Sequence, residues 1–165
     1  MESWNKIHIG TTLGFYTYKY ADWQFQIGRV FHIAKDFVQF EVQRRDYQTG
    51  GIEQMSCYNI ERIVELPINS EILKASGFVQ ITPENDLPYW KNSTGEIEIY
   101  ESKQHFTGWN VIIRKAARVV LSAEFQYLHE LQAYCIQKDI ELNIRLADAM
   151  LIYKDYKDPE KDRTF

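Results

Sequence analysis

The sequence predicts an α+β fold: a small β-barrel of SH3-like size, then an antiparallel sheet packed by one main helix. Three observations lead there. Short runs of alternating apolar and polar residues, separated by turn residues, fill the first third of the chain. Alternating runs return between residues 96 and 121. Residues 122–137, SAEFQYLHELQAYCIQ, form the one stretch with clean helical periodicity. The expected organisation is a barrel-like module over 1–66, an α+β module over 67–146 and a charged, partly flexible tail over 147–165.

In the first module, 13–18 reads as a strand. Residues 24–33 read as another, carrying Phe25, Ile27 and Val30, with Gly28 as a bulge. Residues 36–45 alternate, with Val38, Phe40 and Val42 on one side and Gln39, Glu41 and Gln43 on the other. Ala34, Lys35 and Asp36 join these two as a hairpin. Residues 48–51 make a second turn into a strand over 52–57. A meander of this kind needs closure or a cover to hide its edges.

Leu66-Pro67 marks the boundary. Asn69 or Ser70 caps a two-turn helix that buries Ile72 and Leu73, and Gly77 suits the left-handed position after its end. Residues 82–90 are turn-rich. Strands follow at 96–101 with Ile97 and Ile99 inward, at 106–114 with Trp109, Val111 and Ile113 on one side, and at 118–121. The main helix then starts at Ser122, a good N-cap, with Glu124 suited to the first turn of the helix dipole. At ~100° per residue, Phe125, Leu128, Leu131 and Cys135 share a face. Burying its large side chains is worth roughly 1.5–3 kcal/mol each. Gln132 interrupts that face. It reads as a buried amide tied to the sheet backbone, as a contact to a partner chain, or as a ligand contact, and His129 lies close enough to join any of these. Residues 141–146 alternate as a last strand. Met150 to Tyr153 can dock or extend a helix, and residues 154–163 read as frayed.

Of the 165 residues, 45% are hydrophobic and 15% aromatic, which supports a real core and argues against global disorder. The net charge of −4 argues against a protein that coats nucleic acid. No run is apolar enough for a membrane span, and the start has no signal-peptide pattern. The two cysteines, Cys57 and Cys135, read as reduced thiols, so a cytoplasmic setting is expected. Asn92-Ser93-Thr94 matches a glycosylation acceptor and reads as a turn.

His129-Glu130 would open a zincin motif, but Ala133 stands where the second histidine belongs. No metal, cofactor or catalytic set is expected from spacing. Glu96 and Glu98 share a strand face that reads as solvated. The surplus aromatics point instead to binding. The candidate binding residues are Gln132, His129, Trp90, Trp109 and Tyr134, with a sheet-core role for Trp109 as the competing reading. Tyr16 and Tyr18, with Lys19, Arg44 and Arg45, are the candidate nucleic-acid face, the weaker use given the acidic balance.

A block from Leu66-Pro67-Ile68 to Gly77-Phe78, followed by Leu128-His129-Glu130-Leu131-Gln132 and then Glu141-Leu142, is an order that resembles a family of small uncharacterised proteins from phages, prophages and mobile elements of Bacteroidota. Leu66, Pro67, Ile68, Glu71, Leu73, Gly77 and Phe78 match its middle motif. Leu128, His129, Glu130, Leu131, Gln132, Glu141 and Leu142 match its helix motif. Thr11 and Asn69 depart from it, and the helix aromatic comes at Tyr134. The resemblance spans about residues 6 to 146. It carries no activity. It implies an accessory protein that binds a host component, with the countering of a defence system as one such role. The expected partner is a host protein or a small ligand such as a nucleotide signal, held by one chain or by a homo-oligomer.

Overall fold

A computed structural model describes residues 4–19, 21–44, 50–102 and 108–158. Among these, ten strands form two five-stranded antiparallel sheets, and the fold is mixed α+β. The first sheet holds β1 (Thr12–Lys19), β2 (Asp22–Ile33), β3 (Val38–Gln43), β4 (Ile52–Cys57) and β5 (Ile63–Val64), in the order β4-β3-β2-β1-β5. The second holds β6 (Val79–Ile81), β7 (Tyr89–Lys91), β8 (Ile97–Glu101), β9 (Trp109–Lys115) and β10 (Arg118–Phe125), in the order β10-β9-β8-β7-β6. Three helices accompany them: α1 (Ser70–Ala75), α2 (Leu128–Gln137) and α3 (Leu146–Tyr153).

Leu13, Phe15, Val30, Phe40, Cys57 and Ile63 bury against one another, so every strand of the first sheet feeds one core. Ile7 and half-buried Trp4, at the 3-10 turn before β1, add to it. A sheet that buries residues of all its strands on one side must curl. The described pairings stop at β4 and β5 as edges. Gly28 allows the curl. It pairs in regular register with Leu13, and Phe15 and Phe40 stack over it with ring centroids 4.2 Å apart. A Cβ there would lie 2.8 Å from the Phe40 Cβ. The expected bulge at Gly28 is therefore corrected: the register shifts between Val30 and His32 instead.

The second sheet turns Ile97, Ile99, Trp109, Val111 and Ile113 inward. Onto this row pack Ile72 and Leu73 of α1, Leu128, Leu131 and Cys135 of α2, and Ala149 and Tyr153 of α3. Ile27 of β2 reaches the same core from the other face of the first sheet, and Met150 of α3 touches both cores. Asn69 caps α1 by accepting from the Ile72 N–H at 2.9 Å, and Gly77 follows it at φ +84°.

Three sequence expectations are overturned here. Ser122 does not cap α2 and Glu124 is not in its first turn: residues 122–125 pair with 109–112 in β10, and the helix begins at Leu128. Glu130 reaches back to accept from the Tyr127 N–H at 3.1 Å, and the Leu128 N–H donates to the Leu66 carbonyl at 2.8 Å. The ladder to β9 outbids a helical pattern that Phe125 extended by chance. Residues 141–145 form no strand, and Leu146 opens α3. Asp139, at φ +53°, ends α2, and the Ile140 N–H closes on the Cys135 carbonyl at 2.9 Å. Residues 147–153 leave the expected tail and follow the other reading, in which Met150 to Tyr153 dock: they belong to α3, and Tyr153, 1% exposed, donates to the Pro67 carbonyl at 2.6 Å. Residues 159–165 of the expected tail, residues 48 and 49 of the expected turn, and Phe106 and Thr107 of the expected strand, lie outside the described residues.

Candidate functional site

Helix α2 divides two concavities. The backbone contact between Leu128 and Leu66, with the bridge Pro67–Tyr127, lays the start of α2 against the end of β5. That places His129 beside Glu65. Nε2 meets the Glu65 Oε1 at 2.9 Å, with the imidazole only 3% exposed. An ionised carboxylate only accepts, so Nε2 carries the proton. This hydrogen bond holds the Glu65 carboxyl below its ordinary range. Burial pushes the other way, and the charges of His129 and Lys6 add weaker pulls. The Tyr127 ring lies nearly parallel to the imidazole, 13° from it, at 6.2 Å. Nearby, burial raises the Tyr156 phenol to about 12, with Asp158 and Glu65 among the charges that add to the shift.

On this flank a concavity of about 390 Å³ opens between the first 3-10 turn and α2. Phe125 and Tyr134 wall it, their rings tilted at 6.3 Å. Lys6, His8 and Gln137 supply polar groups, and His129 lines it as well. Glu130 also lines it, but its carboxylate is engaged by the backbone N–H groups of Gln126 and Tyr127.

The other flank belongs to Gln132, 5% exposed. Its Oε1 accepts from the Thr12 N–H at 2.7 Å and its Nε2 donates to the Thr12 Oγ1 at 3.2 Å. The amide thus spans α2 and β1 with both ends satisfied. It also lines a second concavity, of about 310 Å³, with Arg29, Cys135 and Ile144. Burial lifts the Cys135 thiol to about 12.

The structure brings His129 and Tyr134 together and sets Gln132 on the opposite flank. Trp90 and Trp109 are core residues, 5% and 8% exposed, and the Trp109 indole donates to the Ile68 carbonyl at 2.9 Å. Tyr16 and Tyr18 lie on the face of β1 that pairs with Phe25 and Trp23. Arg44 continues the alternation of Phe40 and Val42 on the other face and pairs with Glu53 at 3.7 Å, so these residues do not form one surface. Arg45 lies outside the described residues. Glu98 is not on a solvated face: it is 9% exposed, 3.4 Å from the Arg114 Nε, and accepts from the Tyr100 hydroxyl at 3.0 Å. Burial first, then that bond, raises Tyr100 to about 12.

Glu65, Lys6, His8 and Arg29 were missed as site residues. Only Arg29 left a trace in the sequence: it continues the inward row Phe25-Ile27 with a charge. Glu65 is read as a site residue only once β5 and α2 are adjacent. Among the described residues no three histidine, cysteine, aspartate or glutamate side chains converge on a metal position, and no helix is long and apolar enough to cross a membrane. Set against models of known protein families, curated proteins and solved structures, the chain matches none.

Proposed function

We propose that this protein acts by holding a host component in a stoichiometric complex without transforming it, as a phage or mobile-element accessory protein would. The concavity beside His129 carries this reading. It has two aromatic walls, a polar rim at Lys6 and His8, and an imidazole fixed by Glu65. A partly apolar hollow with a few anchored polar groups is what a binding site needs. The test is retention from bacterial host lysate on the wild-type chain and on a Lys6→Glu/His8→Glu double variant. A stoichiometric species kept by the first and lost by the second is expected. Equal retention, or turnover of the retained species, overturns the reading.

A second reading, capture of a nucleotide signal, is supported by the same walls, since Phe125 and Tyr134 can stack on a base while Lys6 meets a phosphate. A nucleotide panel that leaves the thermal midpoint flat removes it. We keep an SH3-like barrel as the frame for this site. The strand order β4-β3-β2-β1-β5, with a 3-10 turn at 60–62 just ahead of β5, supports it.

A further inference from the structure

The opposite flank of α2 holds an arginine that makes no ion pair among the described residues. Arg29 sits on β2, between Thr12 of β1 and Glu41 of β3 in register. Its Nη2 donates to the Ile144 carbonyl at 2.7 Å, which fixes the guanidinium at the wall of the 310 Å³ concavity. Among the described residues no carboxylate lies within ion-pair distance of it. Glu41, its cross-strand neighbour, makes no ion pair with it. The remaining guanidinium donors are left for solvent or a ligand.

Aliphatic side chains stand beside the guanidinium. Ile140 and Ile144, each 6% exposed, and half-buried Leu142 line the hollow above the buried, neutral Cys135 thiol, with the exposed side chain of Ile136 at its rim. Gln132 is spent on Thr12, and the Asn143 amide donates to Glu141 at 2.6 Å. Among the described side chains that line the hollow, the one charge is therefore the fixed Arg29 guanidinium, set beside aliphatic groups with no aromatic ring among them.

We propose that this concavity binds an aliphatic monocarboxylate, Arg29 taking the carboxylate in a charge-assisted pair and the chain packing against Ile140, Leu142 and Ile144. One cation answers one negative charge. A phosphate dianion would keep an uncompensated charge against aliphatic side chains. A planar aromatic acid would find no ring to stack on. The carboxylate can come from a free short-chain acid or from the C-terminus of a peptide ending in an aliphatic residue. This site is independent of the His129 flank, so either assignment can fail alone.

The experiment is a thermal-shift titration of the full chain with hexanoate, N-acetyl-leucine, hexanol and acetate, paired with nitrogen NMR of the Arg29 Nε–H. Hexanoate is expected to raise the midpoint in the millimolar range and to move the Arg29 signal. Hexanol, without the charge, and acetate, without the chain, are expected to do neither. A stronger response to N-acetyl-leucine assigns the peptide source, and a weaker one the free acid. The R29M variant is expected to lose the hexanoate response. Should R29M fail to fold, I136W at the exposed rim blocks the hollow instead and is expected to abolish the response. Equal shifts with hexanoate and hexanol, a response that survives both variants, or no response to either acid would overturn the proposal.

Discussion

The first sheet buries residues from all five of its strands against one another, whereas the second turns one apolar row toward three helices. The first core is therefore limited by how closely its own strands approach, at Gly28 beneath Phe15 and Phe40. The second is limited by how well α2 and α3 are seated, and its anchors are polar: Gln132 on Thr12, His129 on Glu65 and Tyr153 on Pro67. Apolar packing alone would let a helix slide along a sheet. Directional bonds set its position, and the two concavities exist because α2 is held at one rotation and one height.

The largest effects should come from emptying either core. Phe40→Ala is expected to cost about 3–5 kcal/mol and Leu131→Ala about 2–5 kcal/mol, read by denaturant unfolding. Because Ile27 and Met150 pack across, each should move a single cooperative transition. Two separate transitions would show the cores to be independent. Gly28→Ala comes next. A methyl group 2.8 Å from Phe40 must displace it, which overpacking places at about 1–3 kcal/mol. A change below the error of measurement would show that the curl is slack. Gln132→Leu removes both bonds to Thr12 and leaves a buried N–H unpaired, at about 1–3 kcal/mol. Here the comparison sharpens, since hydrogen exchange should quicken at the Thr12 amide and not in β9.

The smallest expected effect is Glu65→Gln, about 1 kcal/mol near neutral pH. The folded carboxyl titrates below its ordinary value of 4.5. Its contribution is thus full above that pH and fades as pH falls through the folded value. The gap between wild type and variant should close in acid, as melts from pH 7 downward would show. A gap that stays constant would remove the charge from the pair and leave only packing.

Much of the architecture was legible because local pattern and final burial agree. Val38, Phe40 and Val42 alternate and are buried, and Ile97 with Ile99 and the row from Trp109 to Ile113 behave likewise. Asn69 and Gly77 announce both ends of α1 through the chemistry of caps. The pattern misled wherever two periods fit the same residues. Phe125 points inward on a strand as well as on a helix, and the ladder to Trp109 chose the strand. Residues 141–146 alternate, yet no strand pairs with them, and Arg29 takes the Ile144 carbonyl instead.

By itself the sequence determined β1 to β4, β8 and β9, the first half of β10, the short helix and the inward face of α2, because burial periodicity is a property of neighbours along the chain. Only the tertiary structure decided what Gln132 and His129 meet. Thr12 is 120 residues from Gln132 and Glu65 is 64 from His129. A hydrogen bond needs its partner within about 3 Å, a condition on distance in space that no local spacing encodes.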